Sequence, residues 1–326
     1  MNKNNIIVIA DSRPNVGMGH KARCIALTQI LLDAGYKAEL FEDLDPSSVG
    51  NTLERNLLTK NLVILDGYDY DISYETKIKS HNIKLIRVID FPLQDSKSDG
   101  LISQSLYGKD FPSDQPPKLL GLECALLRGS FTKPLNHKYN NQIDFIKPPK
   151  NIFICFGALD VHNYSSKILQ IVKQTLKPLE VNVVTSVMNS KFILKNYSQI
   201  FEYENIRLNV YSGLSEQEIF DLIYKADLVI ASASNIAIEA CAVGAALIVG
   251  VSADNQQCLY KQLIERCLAL GIGDVNSVDA EQVKQAVCEL LSTRGCLNNL
   301  LQAQSNVFDG NANKKIIEFI TRVLNA

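Results

Sequence analysis

The sequence predicts an α/β protein: two Rossmann-like doubly wound parallel-sheet domains facing a cleft. Three observations carry this. The chain has 326 residues, more than one hydrophobic core usually serves. Short apolar runs alternate with longer amphipathic ones. The alternation then restarts after a stretch rich in Pro, Lys and Asn.

In the first half, "IIVIA", "KAELFE", "LVILDG" and "KLIRVID" read as strands. Helices are predicted between them at 19–34, roughly 46–59 and 72–80. The segment "SFTKPLNHKYNNQIDFIKPPKN" at 130–151 reads as a linker, which sets domains at 1–145 and 146–326. The second half opens on "NIFICFGAL", a buried strand ending in glycine, followed by the helix "NYSSKILQIVKQTL". Next come "EVNVVTS", "IRLNVYS", a helix at 215–225, "ADLVIASA", a helix at 235–243 and "ALIVGV". Residues after 277 read as helices, closing with "NKKIIEFITRVL", a helix whose return to the first domain the sequence leaves open.

Composition narrows the function classes. A net charge of −2 argues against a broad nucleic-acid surface. With no tryptophan, aromatic stacking must come from Tyr or Phe. The N-terminal apolar run is too short for a signal peptide, and no window reaches transmembrane length. The eight cysteines lack CxxC spacing and sit mostly in apolar contexts, so buried free thiols and a cytoplasmic location are expected. No histidine pair has metal-ligand spacing, and neither a metal nor another cofactor is expected.

The loops after the strands carry the chemistry. "NVGMGHKARC" puts His20, one of four histidines, behind two glycines where a helix begins. A helix start offers free N–H groups and partial positive charge, and glycines allow close approach, which suits an anion or a polar sugar group. The pattern lacks the third glycine of a dinucleotide fingerprint, since Ala22 stands there, and it is not a P-loop. His20 can serve as general base or donor; a tight turn with an incidental histidine reads the same residues equally well. "CFGALD" offers Gly157, Ala158 and Asp160, the last a candidate N-cap, or else a plain turn. "ADLVIASASNIAIEACAVG" ends a strand in Ser232, Ala233 and Ser234 and starts a helix near Asn235. Small residues there leave room for a diphosphate, and Glu239, the one charge in a nearly apolar helix, suits the hydroxyls of a ribose. "ILDGYDYD" ends a strand with Asp66 and Tyr68, and "VSADNQQ" does so with Asn255, Gln256 and Gln257.

Taken in order, "VGMGHKARCIAL", "LDGY", "GLECALLRGSF", "CFGALD", "ASASNIAIEA", "DNQQ" and "DGNANKKI" resemble the UDP-2,4-diacetamido-2,4,6-trideoxy-β-L-altropyranose hydrolases of pseudaminic acid biosynthesis. Related spore-coat polysaccharide proteins and two-domain glycosyltransferases of the GT-B type share the pattern. The resemblance implies inverting release of UDP by water attack at the anomeric carbon. It implies His20, Tyr68 and Asn255 as catalytic residues, with Asp11, Arg13, Gly17, Gly19, Arg23 and Gln256 on the substrate. It further implies Gly157, Ala158, Asp160, Ser232, Ala233, Ser234, Asn235 and Glu239 on the nucleotide. A UDP-sugar is the implied partner, and other glycan-pathway enzymes are left open.

The departures cluster on the sugar side. Ile9 and Arg13 stand where the pattern has an arginine and a serine; Gly67 replaces a histidine, Phe91 an acid, and Ala158 a glycine. Asn235 stands for threonine in the diphosphate loop. Three functions follow as expectations: a UDP-sugar hydrolase, a glycosyltransferase on the same scaffold, and a non-catalytic sugar-nucleotide binder.

Overall fold

A computed structural model of the chain describes residues 4–13, 16, 18–45, 51–93, 95–106, 116–132, 149–176, 178–292 and 294–326. The chain divides into two compact units, Met1–Gly129 with Asp309–Ala326, and Ser130–Phe308.

The first unit runs β1 (Asn5–Asp11), α1 (Gly19–Asp33), β2 (Lys37–Asp43), α2 (Asn51–Leu57), β3 (Leu62–Asp66), α3 (Ile72–Lys79), β4 (Lys84–Val88), β5 (Gly100–Ser103) and β6 (Lys118–Leu120). All six strands are parallel, in the order β2-β1-β3-β4-β5-β6. Strand β1 shows why these runs are continuous in Ile and Val. Ile6, Val8 and Ala10 pack in one core cluster with Leu27 and Leu31 of α1, while Ile7 and Ile9 pack in another with Leu53 and Leu57 of α2 and Tyr74 and Ile78 of α3. A strand covered on both faces needs apolar residues at every position. The sequence reading misses β5 and β6, whose short runs lie in loop-like composition; β5 is reached from β4 without an intervening helix.

The second unit runs β7 (Asn151–Cys155), α4 (Tyr164–Leu176), β8 (Glu180–Val184), α5 (Val187–Tyr203), β9 (Arg207–Tyr211), α6 (Glu216–Lys225), β10 (Leu228–Ser232), α7 (Asn235–Val243), β11 (Leu247–Val251), α8 (Gln257–Glu265), β12 (Leu270–Asp274), α9 (Ala280–Ser292) and α10 (Arg294–Val307). Its parallel sheet is ordered β12-β11-β10-β7-β8-β9, the dinucleotide-domain order. Local chemistry sets several helix starts. Ser215 and Glu218 form a reciprocal capping box on α6, and Ser186 caps α5.

The last helix, α11 (Ala312–Asn325), belongs to the first unit, whereas the sequence reading kept 146–326 together. Its stripe of Ile316, Phe319, Ile320 and Val323 is buried in the cluster that contains β1 and α1 residues, and Tyr36 Oη meets Thr321 Oγ1 at 2.8 Å. Of the predicted linker, 133–148 lie outside the described residues, as do 46–50 of the predicted second helix. Four cysteines are buried (Cys24, Cys124, Cys155, Cys241), but Cys258, Cys267 and Cys288 are exposed, because each falls on the solvent side of its helix or turn. No described helix is long and apolar enough to cross a membrane.

Candidate functional site

In open parallel sheets, ligands collect beyond the carboxyl ends of the strands where the winding reverses. In the first unit that point lies between β1 and β3, which end in Asp11 and Asp66, and α1 begins beside them. His20 is the second residue of α1 and is buried, 4% exposed. Its Nδ1 lies 2.6 Å from Asp66 Oδ1. Asp66 is fully buried; burial favours its neutral form, but the Arg23 guanidinium and the His20 ring outweigh that and hold the carboxyl well below the usual range. Nδ1 lies between this carboxylate and Arg23 Nη2, which is 3.0 Å away; the shorter contact to the ionised Asp66 favours a proton on Nδ1, and that tautomer leaves the Nε2 lone pair to act as a base.

Arg23, one turn along α1, ties this pair to a second carboxylate. Its Nε donates to Asp66 Oδ2 at 2.5 Å and its Nη2 to Asp66 Oδ1 at 2.7 Å. Its Nη1 donates to Asp90 Oδ1 at 2.6 Å and its Nη2 to Asp90 Oδ2 at 3.0 Å. Burial opposes the charge on Arg23, and the two carboxylates more than restore it. Asp90 is likewise lowered, with burial opposed by Arg23 and by the hydroxyl of Tyr68, which donates to Oδ2 at 2.7 Å. The sequence placed Arg23 on the substrate; here its guanidinium is engaged by Asp66 and Asp90. With neutral His20 the Asp66–Arg23–Asp90 cluster holds one negative charge in excess.

Tyr68 stands edge-on to His20, ring centroids 4.5 Å apart at 80°, and stacks on Phe91 at 5.3 Å and 25°. Its loop is held from beneath by the buried Arg87–Glu75 pair. Arg87 Nη2 donates to the Gly67 carbonyl at 3.0 Å and Nη1 to the Tyr70 carbonyl at 3.2 Å. Gly67 is required by close packing: a Cβ there would sit 2.5 Å from the Tyr70 ring and 2.7 Å from Asp11 Cβ. Asp11 is buried and accepts from Arg13 Nε at 3.0 Å and Nη2 at 2.7 Å; Arg13 also pairs with Asp69. Gly19 is the exposed first residue of α1, and Gly17 lies outside the described residues.

In the second unit the winding reverses between β7 and β10. Gly157 follows β7 with φ +93° and open space around the position of a Cβ, and Ala158 beside it is exposed. Asp160 is buried. Its carboxylate accepts Tyr164 N–H at 2.8 Å, Ser165 N–H at 3.1 Å and the Thr185 hydroxyl at 3.1 Å, so it caps α4 and shapes the loop. Ser232 ends β10, and its hydroxyl meets that of Ser234 at 3.0 Å. Ala233 N–H donates to the Gly250 carbonyl at 2.9 Å. Ser234 is the N-cap residue of α7 yet makes no side-chain cap bond, and Asn235 opens the helix. Glu239 lies one turn in, buried at 5% exposure. Asn255 and Gln256 occupy a 3₁₀ turn after β11, where Gln256 Oε1 accepts Ser252 N–H at 2.8 Å.

Sequence reasoning named Asp66 only as a polar strand end and left Asp90, Arg87 and Glu75 unassigned. Strand-end position was the available signal for Asp66 and Asp90. Their partners lie 46 and 67 residues from them in sequence, beyond the reach of local pattern. Among the described residues, no group of three or more His, Cys, Asp or Glu could hold a metal ion.

No protein-family model matches the chain, and no curated protein does. Solved structures do. The crystal structure of Acinetobacter baumannii MurG is similar at TM-score 0.65 and 14% identity, over 98% of this chain and 99% of that one. An S. aureus MnaA–UDP co-structure gives 0.63 and 13%, over 99% and 97%. The spinosyn rhamnosyltransferase SpnG complexed with thymidine diphosphate gives 0.62 and 12%, over 99% and 100%. The fold class is therefore that of the GT-B proteins, with two Rossmann-like domains.

Proposed function

We propose that this protein is a nucleotide-sugar-dependent glycosyltransferase, in which His20 deprotonates the acceptor hydroxyl. The observation that carries the reading is the buried His20–Asp66 pair at the start of α1, with Nδ1 bound to the carboxylate and Nε2 free to take a proton. As the acceptor oxygen attacks the anomeric carbon, its proton passes to Nε2, and Asp66 supports the resulting imidazolium. The bond to the diphosphate breaks as the new bond forms on the opposite face, which inverts the anomeric centre. The glycine turn at Gly157, the small residues 232–234 and the start of α7 suit the departing diphosphate, and Glu239 the ribose. One neighbour, a rhamnosyltransferase holding thymidine diphosphate, supports this choice over hydrolysis, and another, holding UDP, supports a nucleotide ligand under either reading.

Hydrolysis is the second reading, favoured by the ordered motifs from "VGMGHKARCIAL" to "DGNANKKI". A His–Asp pair activates water as readily as an alcohol. Proton NMR of the protein with UDP-2,4-diacetamido-2,4,6-trideoxy-β-L-altropyranose and other UDP-sugars, with and without glycan acceptors, separates the two. UDP released only with an acceptor supports transfer. UDP and a new anomeric signal without acceptor establish hydrolysis. A bound, unconsumed UDP-sugar under every condition overturns both.

A further inference from the structure

Beside the His20 base lies an aromatic surface that the proposed chemistry does not itself require. Tyr68 is fixed on one side by His20 and at its hydroxyl by Asp90, and Phe91 stacks on its ring. Phe91 leaves 41% of its surface exposed while it stacks on Tyr68. The buried carboxylates around it are each engaged by a cation. Asp90 faces Arg23, Asp66 faces Arg23 and His20, and Asp11 faces Arg13. A side chain at the neighbouring Gly67 position would have to displace the Tyr70 ring or Asp11. The surface next to the base is therefore aromatic, where the resembling motif has a histidine and an acid.

The molecule whose hydroxyl meets Nε2 is the acceptor, so the surface adjoining the base belongs to the acceptor. A water molecule would need no such platform. We infer that Phe91, with Tyr68, is a specificity-determining platform for the acceptor and takes the apolar C–H face of a pyranose ring. Stacking of this kind adds contact area and orients the ring, so its hydroxyl reaches His20 in one pose. The inference rests on the glycosyltransferase reading and names the acceptor class for the same site.

The chain contains no tryptophan, so Phe91→Trp introduces a single tryptophan on the platform, excited apart from the tyrosines at the red edge of absorption. Tyr203→Trp, on the exposed end of α5, serves as the control. Each variant is titrated with UDP, with UDP-N-acetylglucosamine and with a set of methyl pyranosides that differ at C2 and C6. Calorimetry follows UDP-sugar binding to the parent protein. The expected result is a saturable emission change in Phe91→Trp with at least one methyl pyranoside, none with UDP, and none in the control. Phe91→Ala is then expected to raise KM for that acceptor about two- to tenfold with a smaller effect on kcat. A response to the UDP-sugar but to no pyranoside overturns the acceptor assignment and gives the platform to the donor. Silence toward all ligands, while the parent binds UDP-sugar, overturns the role of Phe91. A parent that binds no UDP-sugar overturns the function on which the inference rests, and calorimetry identifies that case separately.

Discussion

At the residue scale, the proposed chemistry rests on His20 and the side chains tied to it. His20 holds its Nδ1 proton against Asp66, and Arg23 couples Asp66 to Asp90 and thereby to Tyr68. His20→Ala is expected to lower kcat about 10²- to 10⁴-fold while UDP binding by calorimetry is unchanged, since the base acts only in the chemical step. Arg23→Met leaves two buried carboxylates without their cation. It should cost about 3–5 kcal/mol in urea unfolding, well beyond an ordinary surface change. The pH dependence follows from the same cluster. Asp66 and Asp90 are both held below their unfolded values, so their contribution is present above the ordinary carboxylate range and is lost as pH falls toward the folded values. Stability should therefore decline between about pH 5 and about pH 2. The slope should be shallower in Asp90→Asn than in the parent; equal slopes in urea titrations would remove Asp90 from the account.

At the element scale, the loop between β3 and α3 is the component that fixes Tyr68. It is anchored at the Gly67 and Tyr70 carbonyls by Arg87, and its following helix is capped by Asp71, whose side chain accepts Tyr74 N–H at 2.9 Å. Gly67→Ala must displace the Tyr70 ring or Asp11. We expect a loss of about 1–3 kcal/mol in thermal or urea unfolding. We expect a fall in kcat as well, because Tyr68 shifts against His20. The N-terminus of α1 matters equally. It places His20 at the end of the sheet without an acidic residue in its first turn, so the carboxylate partner comes from β3.

At the scale of the whole molecule, the chain builds one compact unit from its first 129 residues and a second from 130–308, then returns its last helix to the first. Phe319 and Val323 cover Gly100 of β5, each 3.0 Å from the position of its Cβ. A chain ended at Phe308 would expose that part of the first core. Calorimetry should show the transition of the first unit lowered or abolished, while the second unit keeps its own transition. A truncated chain with unchanged melting would assign α11 no share in the core.

Strands β1–β4 and β7–β11 were legible, most plainly where a parallel strand covered on both faces writes itself as an unbroken Ile–Val–Leu run, as in "IIVIA" and "LVILD"; strand β12 and helices α5 and α8 went unassigned. His20, Gly157 and Ser232–Asn235 were legible because strand-to-helix junctions follow from that pattern. Strands β5 and β6 were not, being three or four residues long, and the last helix could not be assigned to a unit from its own stripe. By itself, then, the sequence determined the two doubly wound halves and the loops at which chemistry can occur, since these depend on local period and backbone freedom. Only the tertiary structure decided that Asp66 orients His20, that Arg23 bridges two carboxylates, and that Phe91 stays exposed beside Tyr68. Those relations join residues brought together by strand order, and charge pairing in a buried site depends on distance in space, which local pattern does not encode.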